Sequence, residues 1–232
     1  MVIIISVVVT YLSYYFNIVY AVDLTLLSIA IIFPLVFTIR GSFRRREKAL
    51  EHLSEFRSTL KTVKYFFMIN PQLDDANKER VTGILHNIND MVLDHLGSKD
   101  RSMSSVDEII NEVYNFVLSH NDQIPRQIRD RVFRFMKNMH ESIENLHAIH
   151  IHRTPISLKA YCKIFIYIFP CIYAPTIISN LGEFAPVWIT YFVVILTEFI
   201  LISLYNIQMH LEYPFDNVGV DDIDLDNFRI DR

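Results

Sequence analysis

Four long runs with almost no charge interrupt the chain, at residues 1–22, 24–39, 164–182 and 184–211. The fourth run contains one acid, Glu198, and neither Lys nor Arg. Runs of this length and composition predict membrane-spanning helices. Core helices of a soluble bundle are the alternative, but such helices normally keep a polar face. The pattern therefore predicts four transmembrane helices, the first from Val2 to Tyr20 and the second from Leu24 to Ile39.

The polar half of the chain, between the second and third runs, has apolar residues at the three- and four-residue spacing of a helix. The clearest examples are Leu53, Phe56, Leu60, Val63 and Phe67. The second span is therefore predicted to continue as one long helix until Asn70 and Pro71 end it. Further helices are predicted from Asp74 to Leu96, from an N-cap at Ser104 or Ser105 to about His120, and from Pro125 to about His152.

These elements predict an all-α membrane protein with no β-strands. Residues 1–40 form the first two transmembrane helices, and residues 41–155 form a large helical region in the cytoplasm. Residues 156–211 form transmembrane helices three and four, and residues 212–232 form an acidic tail.

Composition and charge support this division. The 232 residues are 51% hydrophobic, and their mean hydropathy of +0.24 is above that of ordinary soluble domains. The net charge of −4 argues against a nucleic-acid partner. The cations Arg40, Arg44, Arg45, Arg46 and Lys48 follow the second run, and Arg153, Lys159 and Lys163 precede the third. Because cations mark the cytoplasmic ends of spans, both termini are predicted to be cytoplasmic, in the inner membrane of a cell.

The second predicted span carries an aromatic ridge. Ile29, Phe33 and Phe37 are four residues apart and lie on one helical face. Pro34 lacks a backbone donor and is predicted to kink the helix. A short, bent helix suits a pore lining, but the same spacing also occurs in lipid-facing and core stripes.

Two other sets of polar residues allow more than one interpretation. Glu198 is predicted either to form a polar contact at a pore mouth or between subunits, or to reach the outer interface. Its carboxyl group is expected to be protonated or to pair with a hydroxyl such as that of Tyr167 or Tyr173. Glu144, His147, His150 and His152 have the residue types of a metal site. However, no second Glu-x-x-His occurs, so we expect histidines at a helix end and no metal.

The segment after the fourth run resembles the signature of the bestrophin family. Glu212, Pro214 and Phe215 match a Glu-x-Pro-Phe-Gly segment that follows the last membrane helix of that family. Acids follow in both, here Asp216, Asp221, Asp222, Asp224 and Asp226. The order of two spans, a helical cytoplasmic block, two spans and this tail is also similar.

The resemblance implies a homopentamer around one axial pore, with each second span contributing an apolar neck at Ile29, Phe33 and Phe37. It also implies conduction of small monovalent ions, anions such as chloride above all, and no enzymatic activity. The expected partners are the lipid bilayer, further copies of the chain and small inorganic ions. A non-conducting membrane scaffold or sensor, with cytoplasmic helices that bind partners, is the alternative function.

One departure from the family pattern bears on calcium. Asp216 stands where the family has glycine, and the acids lack the spacing of a known calcium loop. We therefore expect no cofactor. Calcium at Asp216, Asp221, Asp222 and Asp224 is a weaker alternative to a tail that docks on the basic helix of a neighbouring subunit near Arg44 to Arg46.

Overall fold

The computed structural model of the chain describes residues 1–99, 102–182, 185–219 and 221–231. These residues form seven α-helices and one short 3₁₀ helix, Leu225–Phe228, with no strand among them. The α-helices are α1 Val2–Tyr15, α2 Leu24–Met68, α3 Asp75–Gly97, α4 Ser104–Ser119, α5 Arg126–Ile151, α6 Ile156–Leu181 and α7 Val187–Glu212.

The long second helix is confirmed. α2 is 45 residues long and continues without interruption through Pro34. It ends just before Asn70, whose side-chain amide donates to the Gln123 carbonyl at 2.9 Å and whose side-chain oxygen accepts from the Gln72 backbone at 3.1 Å. These two hydrogen bonds hold Asn70 in a turn, so the helix does not continue past this residue.

Two predicted helix boundaries are wrong. α1 ends at Tyr15 and does not reach Tyr20, because Asn17 takes a left-handed backbone conformation with φ of 50°. The N-cap of α4 is Met103, without a side-chain cap, so neither Ser104 nor Ser105 has the predicted capping role. The start of α3 is as predicted, since the Asp74 side chain accepts from the Asn77 backbone at 2.7 Å.

The first of two compact units comprises residues 1–44 and 154–212. It contains α1, the first part of α2, α6 and α7. Apolar side chains from all four helices pack together in it, among them Val2, Ile31, Leu35, Ile166 and Leu201. Its interior also holds polar side chains, and several donate to carbonyls of their own helices. Examples are the bonds from Ser6 to Val2, from Thr10 to Ser6 and from Thr176 to Ile172.

The second compact unit comprises residues 45–153 and 213–232. Its apolar core is built from α3, α4 and α5 together with the second part of α2. The periodic residues of α2 predicted from the sequence line this core, since Leu53, Phe56, Leu60, Val63 and Phe67 are fully buried. The tail belongs to the same core through Phe215, Ile223 and Ile230.

Candidate pore helix and tail motif

The first part of α2 has a buried face and an exposed face. Ile31 and Leu35 are 2% and 1% exposed within the first unit. The predicted ridge of Ile29, Phe33 and Phe37 is 44%, 55% and 62% exposed. Two positions along a helix correspond to a rotation of about 200°. The ridge therefore points away from the helices that α2 packs against in its own chain.

The ridge offers a continuous apolar surface. The rings of Phe33 and Phe37 stack with their centroids 6.2 Å apart and their planes at 23°. Pro34 lies next to Phe33 in the same stretch of helix. Such a surface in a membrane must be covered by lipid or by protein, and copies around an axis would form an apolar constriction.

The motif residue Glu212, at the end of α7, is the acceptor of a buried polar cluster. One carboxylate oxygen accepts from the Thr154 backbone at 3.0 Å and from Lys159 at 3.1 Å. The other oxygen accepts from Lys159 at 3.1 Å and from the Gln208 side chain at 3.1 Å. Four hydrogen bonds from three donor groups therefore compensate the burial of this carboxylate. The cluster holds the start of α6 against the end of α7.

Sequence reasoning missed the partners of Glu212. Lys159 was interpreted as a marker of membrane orientation, and Gln208 was not singled out. The spacing of four residues between Gln208 and Glu212 is a helical contact that the sequence could have indicated. No such signal exists for Lys159, which lies 53 residues away.

The other two motif residues, Pro214 and Phe215, are buried in the second unit. Phe215 is 2% exposed and packs in the apolar core. The Pro214 carbonyl accepts from the Ile223 backbone at 2.8 Å and so closes the loop between them. The motif therefore anchors the tail at its start, and Ile223 and Ile230 anchor it further on.

The acids of the tail mostly bond to the tail itself. Asp216 accepts from the Val218 backbone at 3.2 Å, and Asp222 accepts from the Gly219 backbone at 2.8 Å. Burial raises the pKa of Asp222 above its ordinary value, and the neighbouring Asp216 carboxyl adds to the increase. Asp224 caps the 3₁₀ helix by accepting from the Asp226 backbone at 3.1 Å. These carboxylates stabilise turns.

The predicted docking of the tail near the arginine block occurs within one chain. Arg46 donates to the backbone carbonyl of Asp221 at 2.7 Å, so the carboxylate of Asp221 is not the acceptor. Arg57 donates in the same way to the Arg229 carbonyl at 2.9 Å. The buried Asn89 side chain accepts from the Ile230 backbone at 2.9 Å. The expectation of a tail that docks on the basic helix of a neighbouring subunit is therefore replaced by a tail packed on the helices of its own chain.

Glu198 is 0% exposed in the first unit. Neither of its carboxylate oxygens has a hydrogen-bond partner among the residues that the structure describes. The hydroxyl of Tyr173, one predicted partner, accepts from Thr197 at 3.4 Å. Both interpretations of Glu198 from the sequence are wrong, because a side chain enclosed by its own chain contacts neither a pore nor another subunit, and does not reach the interface.

The histidines of α5 do not assemble with Glu144. His147 lies with its Nδ1 atom 3.0 Å from Nε2 of His95, and the ring of His150 lies 5.4 Å from that of His95. His152 is the C-cap of α5. The predicted metal candidates are thus divided between a histidine cluster and a separate glutamate.

Within the described parts of the chain, one group of three has its metal-ligand atoms within 4.8 Å of one another: Asp107, His140 and Glu144. One imidazole and two carboxylates could hold a divalent cation. The Nε2 atom of His140 also lies 3.5 Å from a Glu144 carboxylate oxygen, the geometry of an ordinary helical pair. The described acids of the tail form no such group of three.

Three of the described helical segments are long and apolar enough to cross a membrane: Leu24–Met68, Arg126–Leu181, which includes α6, and Val187–Glu212. α1 has 14 residues, a length of about 21 Å at 1.5 Å per residue, against a hydrocarbon core of about 30 Å. The three long apolar segments are typical of an all-helical integral membrane protein.

No protein-family model matches the sequence, and no curated protein matches it either. Solved structures do match. A bacterial bestrophin homolog from Klebsiella pneumoniae superposes with a TM-score of 0.82 at 15% identity, over 98% of this chain and 91% of that one. A variant of that homolog gives a TM-score of 0.82 at 16% identity with the same coverage. A structure described as a membrane protein gives a TM-score of 0.80 at 14% identity, over 98% and 90% of the two chains.

The chain therefore has the bestrophin fold. The resemblance inferred from Glu212, Pro214 and Phe215 is confirmed at the level of fold, with sequence identity of 14–16% to these structures.

Proposed function

We propose that this chain is the subunit of a bestrophin-like ion channel. Five copies surround an axial pore in the inner membrane of a cell, with both termini in the cytoplasm. The four spans are α2, α6, α7 and the shorter α1, around which the bilayer thins locally. The pore conducts small monovalent ions, with anions such as chloride favoured. It carries out no enzymatic reaction and needs no resident cofactor.

One observation carries the proposal. In a chain with the bestrophin fold, the face of α2 opposite to its packing face is lined by exposed Ile29, Phe33 and Phe37. Five such faces around an axis give an apolar neck from which water withdraws when the neck narrows. Small movements of α2 then wet or dry the neck, and this controls ion flow. The cations that follow this span, Arg40 and Arg44 to Arg46, raise the local concentration of anions.

The test is ion flux into liposomes that contain the purified protein. The variant Phe33→Ala removes a ring whose burial from water is worth about 1.5–3 kcal/mol. We expect flux to increase about tenfold or more, since a barrier lowered by 1.4 kcal/mol raises a rate tenfold. Anion and cation gradients, with and without a calcium chelator, measure selectivity and calcium dependence in the same assay.

The matched control is Phe199→Ala on α7, which removes an equally exposed ring, 53% against 55%, from another helix of the unit. We expect its flux to equal that of the wild type. Absence of flux in the wild type and in Phe33→Ala would favour the membrane scaffold or sensor. A particle mass in detergent that corresponds to a monomer would contradict the axial pore.

A further inference from the structure

Three prolines lie within the membrane helices, Pro34 in α2 and Pro170 and Pro175 in α6. For two of them, Pro34 and Pro175, another side chain reaches the backbone carbonyl that the proline leaves without its helical partner. A proline has no N–H group, so the carbonyl four residues before it loses the usual donor. For Pro34 in α2 this carbonyl belongs to Ala30, and for Pro175 in α6 it belongs to Cys171. In a hydrocarbon environment such a carbonyl needs another donor, because no water is available to it.

Each of these carbonyls accepts a hydrogen bond from a tyrosine hydroxyl. Tyr161 of α6 donates to the Ala30 carbonyl at 3.2 Å. Tyr20, in the connection between α1 and α2, donates to the Cys171 carbonyl at 2.9 Å. The donors are 131 and 151 residues away from their acceptors along the chain. All four residues belong to the first unit.

The tyrosine hydrogen bonds connect different parts of the chain from the backbone hydrogen bonds that they replace. A backbone N–H would have bonded the carbonyl within its own helix, whereas the tyrosine hydroxyl bonds it to a different segment. The Tyr161 ring also packs on Phe165 of the same helix, with centroids 4.4 Å apart, which holds the hydroxyl in place. The donor is therefore supplied by a side chain that is itself fixed by packing.

We propose that Tyr161 and Tyr20 are positioning residues whose hydroxyls replace the backbone donors that Pro34 and Pro175 lack. Tyr161 is the more consequential of the two. Its acceptor, Ala30, adjoins Ile29, and Pro34 adjoins Phe33, so this bond fixes the stretch of α2 that carries the exposed ridge. If the ridge is the pore neck, a step that rests on the proposed function, Tyr161 sets the position of the neck.

The first experiment is a double-mutant cycle on the intact protein in detergent, followed by its thermal unfolding. Tyr161→Phe keeps the ring and removes the hydroxyl. We expect the Tm to fall by about 2–4 °C, the effect of one lost hydrogen bond in a chain of this length. In the Pro34→Ala background the residue at position 34 supplies the missing N–H. There we expect the same change to lower the Tm by less than half as much.

The control is Tyr167→Phe, which removes another half-buried hydroxyl from α6. Its effect on the Tm should be the same with and without Pro34. Equal losses for Tyr161→Phe in both backgrounds would overturn the proposal, because they would show that the hydroxyl does not compensate for the proline. If a variant in the first cycle fails to assemble, a second double-mutant cycle with Tyr20→Phe and Pro175→Ala tests the same idea. We expect the same coupling between the two changes in that cycle.

The functional test uses flux in liposomes. One hydrogen bond of about 1 kcal/mol shifts a conformational equilibrium about fivefold. We therefore expect Tyr161→Phe to change flux about fivefold with Pro34 present and less than twofold with Pro34→Ala. Coupling in the Tm without flux in any variant would support the positioning role and contradict the channel. Flux in the wild type without coupling in either measurement would support the channel and overturn the positioning role.

Discussion

The two units of this chain differ in the side chains that they leave exposed and in the number of polar side chains that they enclose. The second unit buries apolar side chains and carries its ion pairs on its surface, as a soluble domain does. The first unit exposes large apolar side chains such as Phe33, Phe192 and Trp188 and encloses polar ones such as Thr10 and Glu198. The difference is what two solvents require. In water, burial of apolar surface lowers the free energy of the folded chain. In lipid, apolar side chains can remain exposed, and polar groups must find partners inside the protein.

α2 contributes to both units, so one helix shows the contrast directly. Phe33 and Phe56 have the same side chain, but Phe33 is 55% exposed and Phe56 is 0% exposed. Apolar residues at helical spacing therefore lie on an exposed face in one part of α2 and on a buried face in the other. Its exposed apolar residues need lipid or other subunits as neighbours, and its buried ones already have their neighbours within the chain.

The largest expected effect breaks the core of the second unit. Phe56→Ala should lower the free energy of unfolding by about 3–5 kcal/mol, because it leaves a cavity among packed side chains. Phe199→Ala, on the exposed surface of the first unit, should lower it by less than about 1 kcal/mol. Denaturant titration of the detergent-solubilised protein measures both. Similar losses for the two variants would contradict the contrast between the units.

A smaller effect is expected in the polar interior of the first unit. Glu212→Gln removes the charge that balances Lys159 and should lower the free energy of unfolding by about 3 kcal/mol, the low end of the range for breaking a buried ion pair. The same titration measures it. Gln208→Leu, which removes a single donor to Glu212, serves as a milder reference, and a larger loss there than for Glu212→Gln would contradict the central role of the carboxylate.

The smallest effect should have the opposite sign. Glu198→Gln changes a carboxyl that lacks hydrogen-bond partners among the described residues, so no favourable contact is lost. Removing an ionisable group from a buried site should leave the Tm unchanged or raise it by a few degrees, since about 1 kcal/mol corresponds to about 2–4 °C. Thermal unfolding beside Glu212→Gln checks this, and a fall as large as that of Glu212→Gln would show that Glu198 has a partner.

Much of the helical layout could be predicted from the sequence because it depends on local patterns. The starts of α3 and α5 and the continuation of α2 to Met68 follow from caps, prolines and apolar spacing. The segment at Pro214 and Phe215 was found by its resemblance to a family motif, and its role in anchoring the tail in the core was not predicted. The boundary errors at Tyr15 and Met103 also have local causes, namely a left-handed Asn17 and a helix that starts without a side-chain cap.

Contacts between distant residues could not be predicted in this way. Nothing in the spacing pairs Lys159 with Glu212, or Tyr161 with the Ala30 carbonyl. The position of Glu198 was misjudged for the same reason, since an acid in an apolar run can lie on any face of its helix.

By itself, then, the sequence determined which segments are helices, which of them are apolar enough for a membrane, and where the tail motif lies. Periodicity and hydropathy are properties of neighbouring residues, and they do not depend on any tertiary contact. The tertiary structure alone decided which face of α2 is left exposed, which carboxylate is satisfied and which is not, and which tyrosine compensates for which proline. Those outcomes depend on contacts between segments that lie many residues apart in the sequence, and such contacts exist only in the folded chain.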